Sequence, residues 1–329
     1  MFDWATIGDA GNAADSEVMD IDGTTGYGSV GYEFRIAKTE VTNAQYVEFL
    51  NDVAVSQDWY GLYNEAMSFE IWGGIIRTGT AGSYSYAVKP DAIGQGPGGS
   101  DYSYADKPVT FVSWFDAIRF ANWMTSGDTE RGTYNIDNGG VNFGFVTIPD
   151  HSTLGPGSFF LPTEDEWYKA AYYDGAGGYY DYPTSTNTPP DNNLPFADSG
   201  NSANLMATGD IFYAYTDVGS YSQTISPYAV FDMAGNVYEW NEALVTPTGR
   251  GIRGGGYDSL PSEAASWARS WNLPHSENTV TGQVGFRIAG SFEAPVPEPS
   301  TYAMAALGLW GLAFYGRRRR RDRQRAFVR

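Results

Sequence analysis

The chain is expected to fold as a loop-rich α+β domain with short strands and about three main helices, followed by one C-terminal transmembrane helix. Three observations predict this. Forty glycines, 24 tyrosines and 10 tryptophans in 329 residues describe long turns pinned by aromatic packing, not a helix bundle. Three capping boxes open amphipathic runs in the body of the chain. A charge-free stretch, Thr301 to Gly316, runs into five arginines, Arg317 to Arg321, close to the end.

Taken in order, Tyr32 to Ile36 alternates apolar and polar side chains and predicts a strand. Thr42-Asn43-Ala44-Gln45 opens the first helix, with Tyr46, Val47, Leu50, Val53 and Ala54 on one face. Ser113-Trp114-Phe115-Asp116 opens the second, with Trp114, Ala117, Ile118 and Ala121 inward. Thr163-Glu164-Asp165-Glu166, just after Pro162, opens the third, with Trp167, Ala170 and Ala171 inward. Gly285 to Ala289 alternates again, and pairing between this last strand and the first would close the domain. Long Gly/Pro/Asn stretches lie between, at 91–104, 135–158 and 174–204. Loops of that length are functional or disordered, and the many Tyr and Phe residues here argue for packing on the core. The tyrosines Tyr172, Tyr173, Tyr179, Tyr180 and Tyr182 are read the same way, as loop and core packing, with stacking on a sugar as the alternative use of their faces.

Ala294 to Pro299 is a proline-rich linker. The apolar run after it is short against the roughly 20 residues a bilayer core asks for. Thinning and snorkelling at the flanks let Tyr302 to Tyr315 bridge much of the span. The arginines then stay cytoplasmic and the body lies outside. Export also needs a leader. Met1-Phe2-Asp3-Trp4 does not form one, so the leader is expected ahead of the residues given, with insertion of the tail without a leader as the alternative.

Charge is unevenly placed. The chain has 20 Lys+Arg and 39 Asp+Glu, for a net charge of −19. Eight of the basic residues, and of the acidic ones only Asp322, lie at 317–329. So acidic a body repels phosphate backbones, and nucleic acid is excluded as a partner. There is no cysteine, which removes disulfides, thiolate metal sites and thiol nucleophiles. His151 and His275 are the two histidines, so no three-histidine metal site can form within one chain. Ser259, Asp258 and His275 can be written as a triad, but no nucleophile-elbow context surrounds them.

The densest segment is Asp232-Met233-Ala234-Gly235-Asn236-Val237-Tyr238-Glu239-Trp240. Two carboxylates, an asparagine and a turn-permitting glycine can supply several oxygens to a hard cation such as calcium. A capped turn ahead of a tryptophan anchor accounts for the same residues.

Here the sequence resembles the formylglycine-generating enzyme (sulfatase-modifying factor) family, whose fold is a variant of the C-type lectin fold. The matching motifs are Ile36–Ala44, Pro108–Trp123, Leu161–Ala171, Asp232–Trp240, Arg253–Tyr257 and Gly285–Ile288. The tail, with Pro297-Glu298-Pro299, resembles the PEP-CTERM sorting signal of Gram-negative bacteria, which an exosortase reads. The resemblance implies a domain over 5–291 and a linker over 292–300. A transmembrane segment over 301–316 and a basic cytoplasmic tail over 317–329 would follow. It implies two structural calcium sites. One would use Asn204, Leu205, Asp210 and Phe212, with Leu205 and Phe212 giving backbone oxygens. The other would use Asp232, Gly235, Val237 and Glu239, with Gly235 and Val237 as carbonyl donors. A ligand cleft would involve Arg253, Tyr257, Ser259, Arg269 and Arg287, with ion pairing as the plainer role for the arginines.

The departures matter as much. Family oxidases hold copper through two cysteines just after the glycine-rich strand. Here Ser259 stands near the first of those positions, and a neutral hydroxyl is a poor ligand for copper(I). Relatives that make sulfur-containing histidine derivatives hold iron with three histidines, which this chain lacks. Neither copper nor iron is therefore expected. The expectation is an exported, surface-sorted protein of the cell envelope or extracellular space, transiently anchored in the inner membrane. It would bind polysaccharide or a partner protein without catalysis. The alternatives are an enzyme of the same superfamily with an unrecognised active site, and a structural coat or matrix protein.

Overall fold

The computed structural model describes residues 2–90, 102–136, 146–206, 214–275 and 282–292. The chain divides into two units, 1–292 and 293–329. The second unit holds the Pro-Glu-Pro motif, the apolar run and the arginines, and lies outside the described residues. Among the described residues, no helix is long and apolar enough to cross a membrane.

The three capping boxes do start the three long helices. In α1 (Asn43–Val53), Thr42 Oγ1 accepts the Gln45 N–H while the Gln45 side chain accepts the Thr42 N–H. Ser113 and Asp116 reciprocate in the same way at α3 (Trp114–Ser126), as do Thr163 and Glu166 at α4 (Glu164–Tyr172). Gly127, left-handed at φ 77°, stops α3. A one-turn helix, α2 (Ala66–Phe69), was not signalled by any cap. Tyr46 and Phe49 of α1 meet Phe120 of α3, with Phe49 and Phe120 edge-on at 5.3 Å and Phe286 against Phe120 at 5.4 Å. Each such ring, fully buried, contributes about 1.5–3 kcal/mol.

Two four-stranded sheets frame these helices. The first has the order β1 (Trp4–Ile7), β2 (Phe34–Ala37), β10 (Ala289–Gly290), β5 (Phe159–Phe160), all antiparallel. The second has the order β8 (Ser270–Asn272), β7 (Arg250–Arg253), β6 (Tyr238–Leu244), β9 (Val284–Gly285), with β9 parallel to β6. A hairpin, β3 (Ile75–Thr78) and β4 (Ser85–Val88), lies apart from both sheets.

The expected closure of first and last strands occurs at Ala289 opposite Ile36. The run Gly285–Ala289, however, is not one strand. Its two ends join different sheets, and Phe286, Arg287 and Ile288 cross between them wholly buried. An alternating pattern implies one face in water. Here both faces are buried, and the polar residue Arg287 is accommodated by an internal carboxylate. Strand β1 also lies outside the expected set, since four residues of mixed character carry no periodic signal.

Candidate functional site

Four charged groups meet where β6 leaves the Asp232 turn. Arg287 is fully buried, and its Nε and Nη2 grip Glu239 Oε2 and Oε1 at 2.5 Å each. The same guanidinium donates to the Ala37 carbonyl at 3.1 Å and the Phe231 carbonyl at 3.0 Å. Glu239 also accepts the Trp167 indole N–H at 2.7 Å. Asp232, in the left-handed region at φ 56°, accepts the Gly219 N–H at 2.5 Å and lies against Glu40. Burial pushes Asp232 up to about 6 despite the Gly219 donor and the Arg287 charge. Burial, and then the Asp232 charge, push Glu40 well above the ordinary carboxyl range.

Three carboxyl groups thus surround one guanidinium. Glu40 Oε1 accepts Asn236 Nδ2 at 3.1 Å, whereas Glu40 Oε2 is buried with no donor among the described residues. That orphaned oxygen and Asp232 fit a hard cation or a shared proton. Glu239 fits less well as the calcium ligand the family pattern assigns, because both of its oxygens are already engaged by Arg287. The acid that faces Asp232 is Glu40, which the pattern left without a role. Among the described residues, no three His, Asp or Glu side chains converge as metal ligands.

The segments assigned to the two calcium sites run side by side. Asn204 forms a parallel bridge with Gly235, and a Cβ on Gly235 would lie 2.2 Å from the Asn204 carbonyl oxygen. With φ at 78° as well, position 235 admits only glycine in practice. Asn204 Nδ2 donates to the Ala214 carbonyl at 2.8 Å and to Asn236 Oδ1 at 3.1 Å, so a hydrogen-bond chain runs from Asn204 through Asn236 to Glu40. Leu205 is buried in a small apolar cluster with Ala203, Ala234 and Ala264, and Val237 is also fully buried. Asp210 and Phe212 lie outside the described residues.

A cavity of about 210 Å³ opens on the second sheet, walled by Tyr238, Ile252, Arg253, Glu263, Arg269 and Ser270. Ser259 stands behind this wall. Its Oγ accepts the Gly256 N–H at 3.0 Å and donates to Glu263 Oε2 at 2.6 Å, and Tyr238 donates to that same oxygen at 2.5 Å. Burial and the Glu263 carboxylate push the Tyr238 phenol up. No ring of His275 enters this set: it lies stacked on Phe115 with ring centres 4.3 Å apart, so the triad written from the sequence does not form.

Of the expected cleft residues, Arg253 and Arg269 line the cavity, but Tyr257 and Arg287 do not. Tyr257 packs edge-to-face on Tyr215 at 5.4 Å, and Arg287 is the buried partner of Glu239. The two cavity arginines are spent on each other's counterions. Arg253 donates to Glu164 at 2.9 Å and to the Ser266 and Ala268 carbonyls at 3.1 and 2.7 Å. Arg269 reaches Glu164 through Nε at 2.9 Å and Nη2 at 2.7 Å, and Asp22 through Nη1 at 2.5 Å.

A second buried charge cluster was missed from the sequence altogether. His151 sits between Glu166, 3.0 Å from Nδ1, and Glu242, 3.2 Å from Nε2, with all three side chains almost without solvent. Tyr32 donates to Glu166 at 2.8 Å, and Tyr134 donates to Glu242. Burial alone would push His151 down, but the Glu166 and Glu242 carboxylates overcome it and raise the imidazole to about 10. The one available signal was Glu166 itself, a capping-box residue on a helix whose N-terminal turn is otherwise packed.

Fold and site together define a loop-rich α+β domain, stapled by buried ion pairs, whose open cavity is walled by hydroxyls and carboxylates. The chain belongs to the family of the sulfatase-modifying factor enzyme 1-like domain, whose profile matches residues 26–292. A PEP-CTERM protein-sorting motif follows at residues 295–321, which implies export to the cell envelope and recognition by an exosortase-type sorting system. Among curated proteins, hercynine oxygenase of Mycolicibacterium smegmatis is 24% identical over 215 residues, covering 65% of this chain. The match reaches 38% of that relative's length. Among solved structures, CarF is 23% identical with a TM-score of 0.49, over 89% of this chain and 99% of CarF. PvdO from Pseudomonas aeruginosa is 16% identical with a TM-score of 0.49, over 88% of this chain and 94% of PvdO.

Proposed function

We propose that this is an exported binding protein whose sulfatase-modifying-factor domain holds an extracellular polysaccharide in the cleft beside Ser259, without oxidising it. The observation that carries this reading is the Ser259–Glu263–Tyr238 set. Where family oxidases place a thiolate, this chain places a hydroxyl behind the cavity wall, already bonded to the Glu263 carboxylate that lines it. Hard oxygen ligands do not suit copper(I). Both histidines have other work, one in a buried ion-pair cluster and one on a phenylalanine ring. The likeness to hercynine oxygenase favours a second reading, an enzyme of the superfamily with an unrecognised active site. A saturable interaction between the full chain and purified polysaccharide, lost in Ser270→Trp, tests the first.

In this reading the tail is an address label. The Pro-Glu-Pro motif is the sorting element, the apolar run a temporary anchor, and the arginines the cytoplasmic stop. Loss of the tail after sorting would leave the acidic body outside the inner membrane.

Calcium belongs to the same proposal as a structural ion. Asp232, the Gly235 and Val237 carbonyls and the neighbouring Glu40 would hold it, and it would neutralise the excess carboxylate charge around Arg287. A ligand bound only by the folded state must stabilise it. Millimolar calcium is therefore expected to raise the thermal midpoint of the full chain over EGTA, and Asp232→Asn to abolish most of the difference. Equal midpoints with calcium and with EGTA would remove calcium from the account.

A further inference from the structure

We infer that the cleft selects sugars without acidic groups: neutral or amino-bearing rings enter, and uronic or sulfated ones are rejected. This rests on the polysaccharide reading above and names its ligand class. Charge decides it first. The two guanidinium groups of the cavity wall are the features that suggest an anion site. Yet Arg253 and Arg269 together face Glu164 and Asp22, so their charges are already matched. The donors of Arg253 are matched as well. Arg253 spends Nε, both Nη1 hydrogens and Nη2 on Glu164, the Ser266 and Ala268 carbonyls and Met19 Sδ.

Two further acids, Asp20 and Glu263, line the cavity, both exposed, and among the described residues no lining cation besides the two arginines stands beside them. An anionic sugar would meet a net negative site whose two cations are already paired with carboxylates. Ring hydroxyls and amines, by contrast, are donors, and carboxylates and hydroxyl oxygens are what the wall offers. Glu263 has one oxygen bonded to Ser259 and Tyr238, which orients the carboxylate for an incoming donor. Ile252, Ala268 and the Tyr238 ring supply apolar surface for the carbon face of a sugar.

Size decides the rest. Pockets that enclose drug-sized ligands run to about 300–1,000 Å³. At about 210 Å³, this cavity suits a single ring at a chain end or branch.

The test uses the full chain and length-matched oligosaccharides of glucose, glucosamine and glucuronate at one ionic strength. Binding to glucose or glucosamine oligomers is expected, with glucuronate at least about tenfold weaker, the scale of one charge-assisted hydrogen bond. Asp20→Asn with Glu263→Gln should weaken the non-acidic ligands and close that gap. Ser270→Trp should abolish binding. The thermal midpoint of each variant controls for folding, and the isosteric double variant, which adds no bulk, stands in for Ser270→Trp if the latter fails to fold. Glucuronate bound as tightly as glucose, and lost in Ser270→Trp, would overturn the selectivity and leave the cleft reading standing. Binding that none of these variants alters, or no binding by any oligomer, would overturn both.

Discussion

Arg287→Ala is expected to destabilise the domain by about 3–5 kcal/mol, the scale measured when one partner of a buried ion pair is removed. Total stabilities of such domains are only about 5–15 kcal/mol, so the variant should be close to unfolding at physiological temperature. The reason is specific. Arg287 is the cation among Glu239, Asp232 and Glu40, and its removal leaves two buried carboxyl groups, Glu239 and Glu40, facing each other and the half-buried Asp232. It also releases two carbonyls, of Ala37 and Phe231, that tie the first sheet to the Asp232 turn. Adding Glu239→Gln to the alanine variant should recover part of the loss. A glutamine carries no charge, and its carbonyl oxygen still accepts the Trp167 indole. Urea unfolding midpoints of the three proteins read this directly. A loss for Arg287→Ala no larger than that of an exposed ion pair, about 0–1 kcal/mol, would contradict the assignment.

His151 gives the second large effect, and a pH dependence. His151→Ala strands Glu166 and Glu242 without their shared cation, for an expected loss again of about 3–5 kcal/mol. The unfolded imidazole titrates near 6.5, and the folded one is raised to about 10. A raised folded value means that the contribution is complete below the unfolded value and is lost as pH climbs through the folded one. Stability should therefore decline between about pH 6.5 and pH 10. Burial raises Glu242 as well, which works in the same direction. His151→Gln removes the titration, so the gap between wild type and this variant should narrow from pH 7 to pH 9.5. A gap of constant size across that range would show that His151 is not held as an imidazolium.

The parts of the fold legible in the sequence are those set by neighbours in sequence. A capping box spans four residues, so Thr42, Ser113 and Thr163 announced their helices without reference to anything distant. The alternation from Gly285 to Ala289 was equally local, but what the polar position does was not. Whether Arg287 faces water or Glu239 depends on a partner 48 residues away. His151 and Glu242 are separated by 91 residues, and Asn236 and Glu40 by 196. No periodicity or turn signal encodes such pairs. The same holds for the cleft. Ser259 was marked by its place after the glycine-rich strand, and Arg253 and Arg269 by their motifs. Glu164 and Asp22, which cancel those arginines, come from the start of α4 and from the N-terminal loop. The sign of the site's charge was therefore out of reach until the chain was folded.

The most direct test of the central claim, a family domain that binds instead of oxidising, is elemental analysis of the purified full chain after exposure to copper, iron and calcium and removal of free metal. The account predicts that copper and iron stay well below one per chain, and that oligosaccharide binding is the same with or without them. One tightly held copper or iron per chain would contradict it and restore an oxidative enzyme as the better reading.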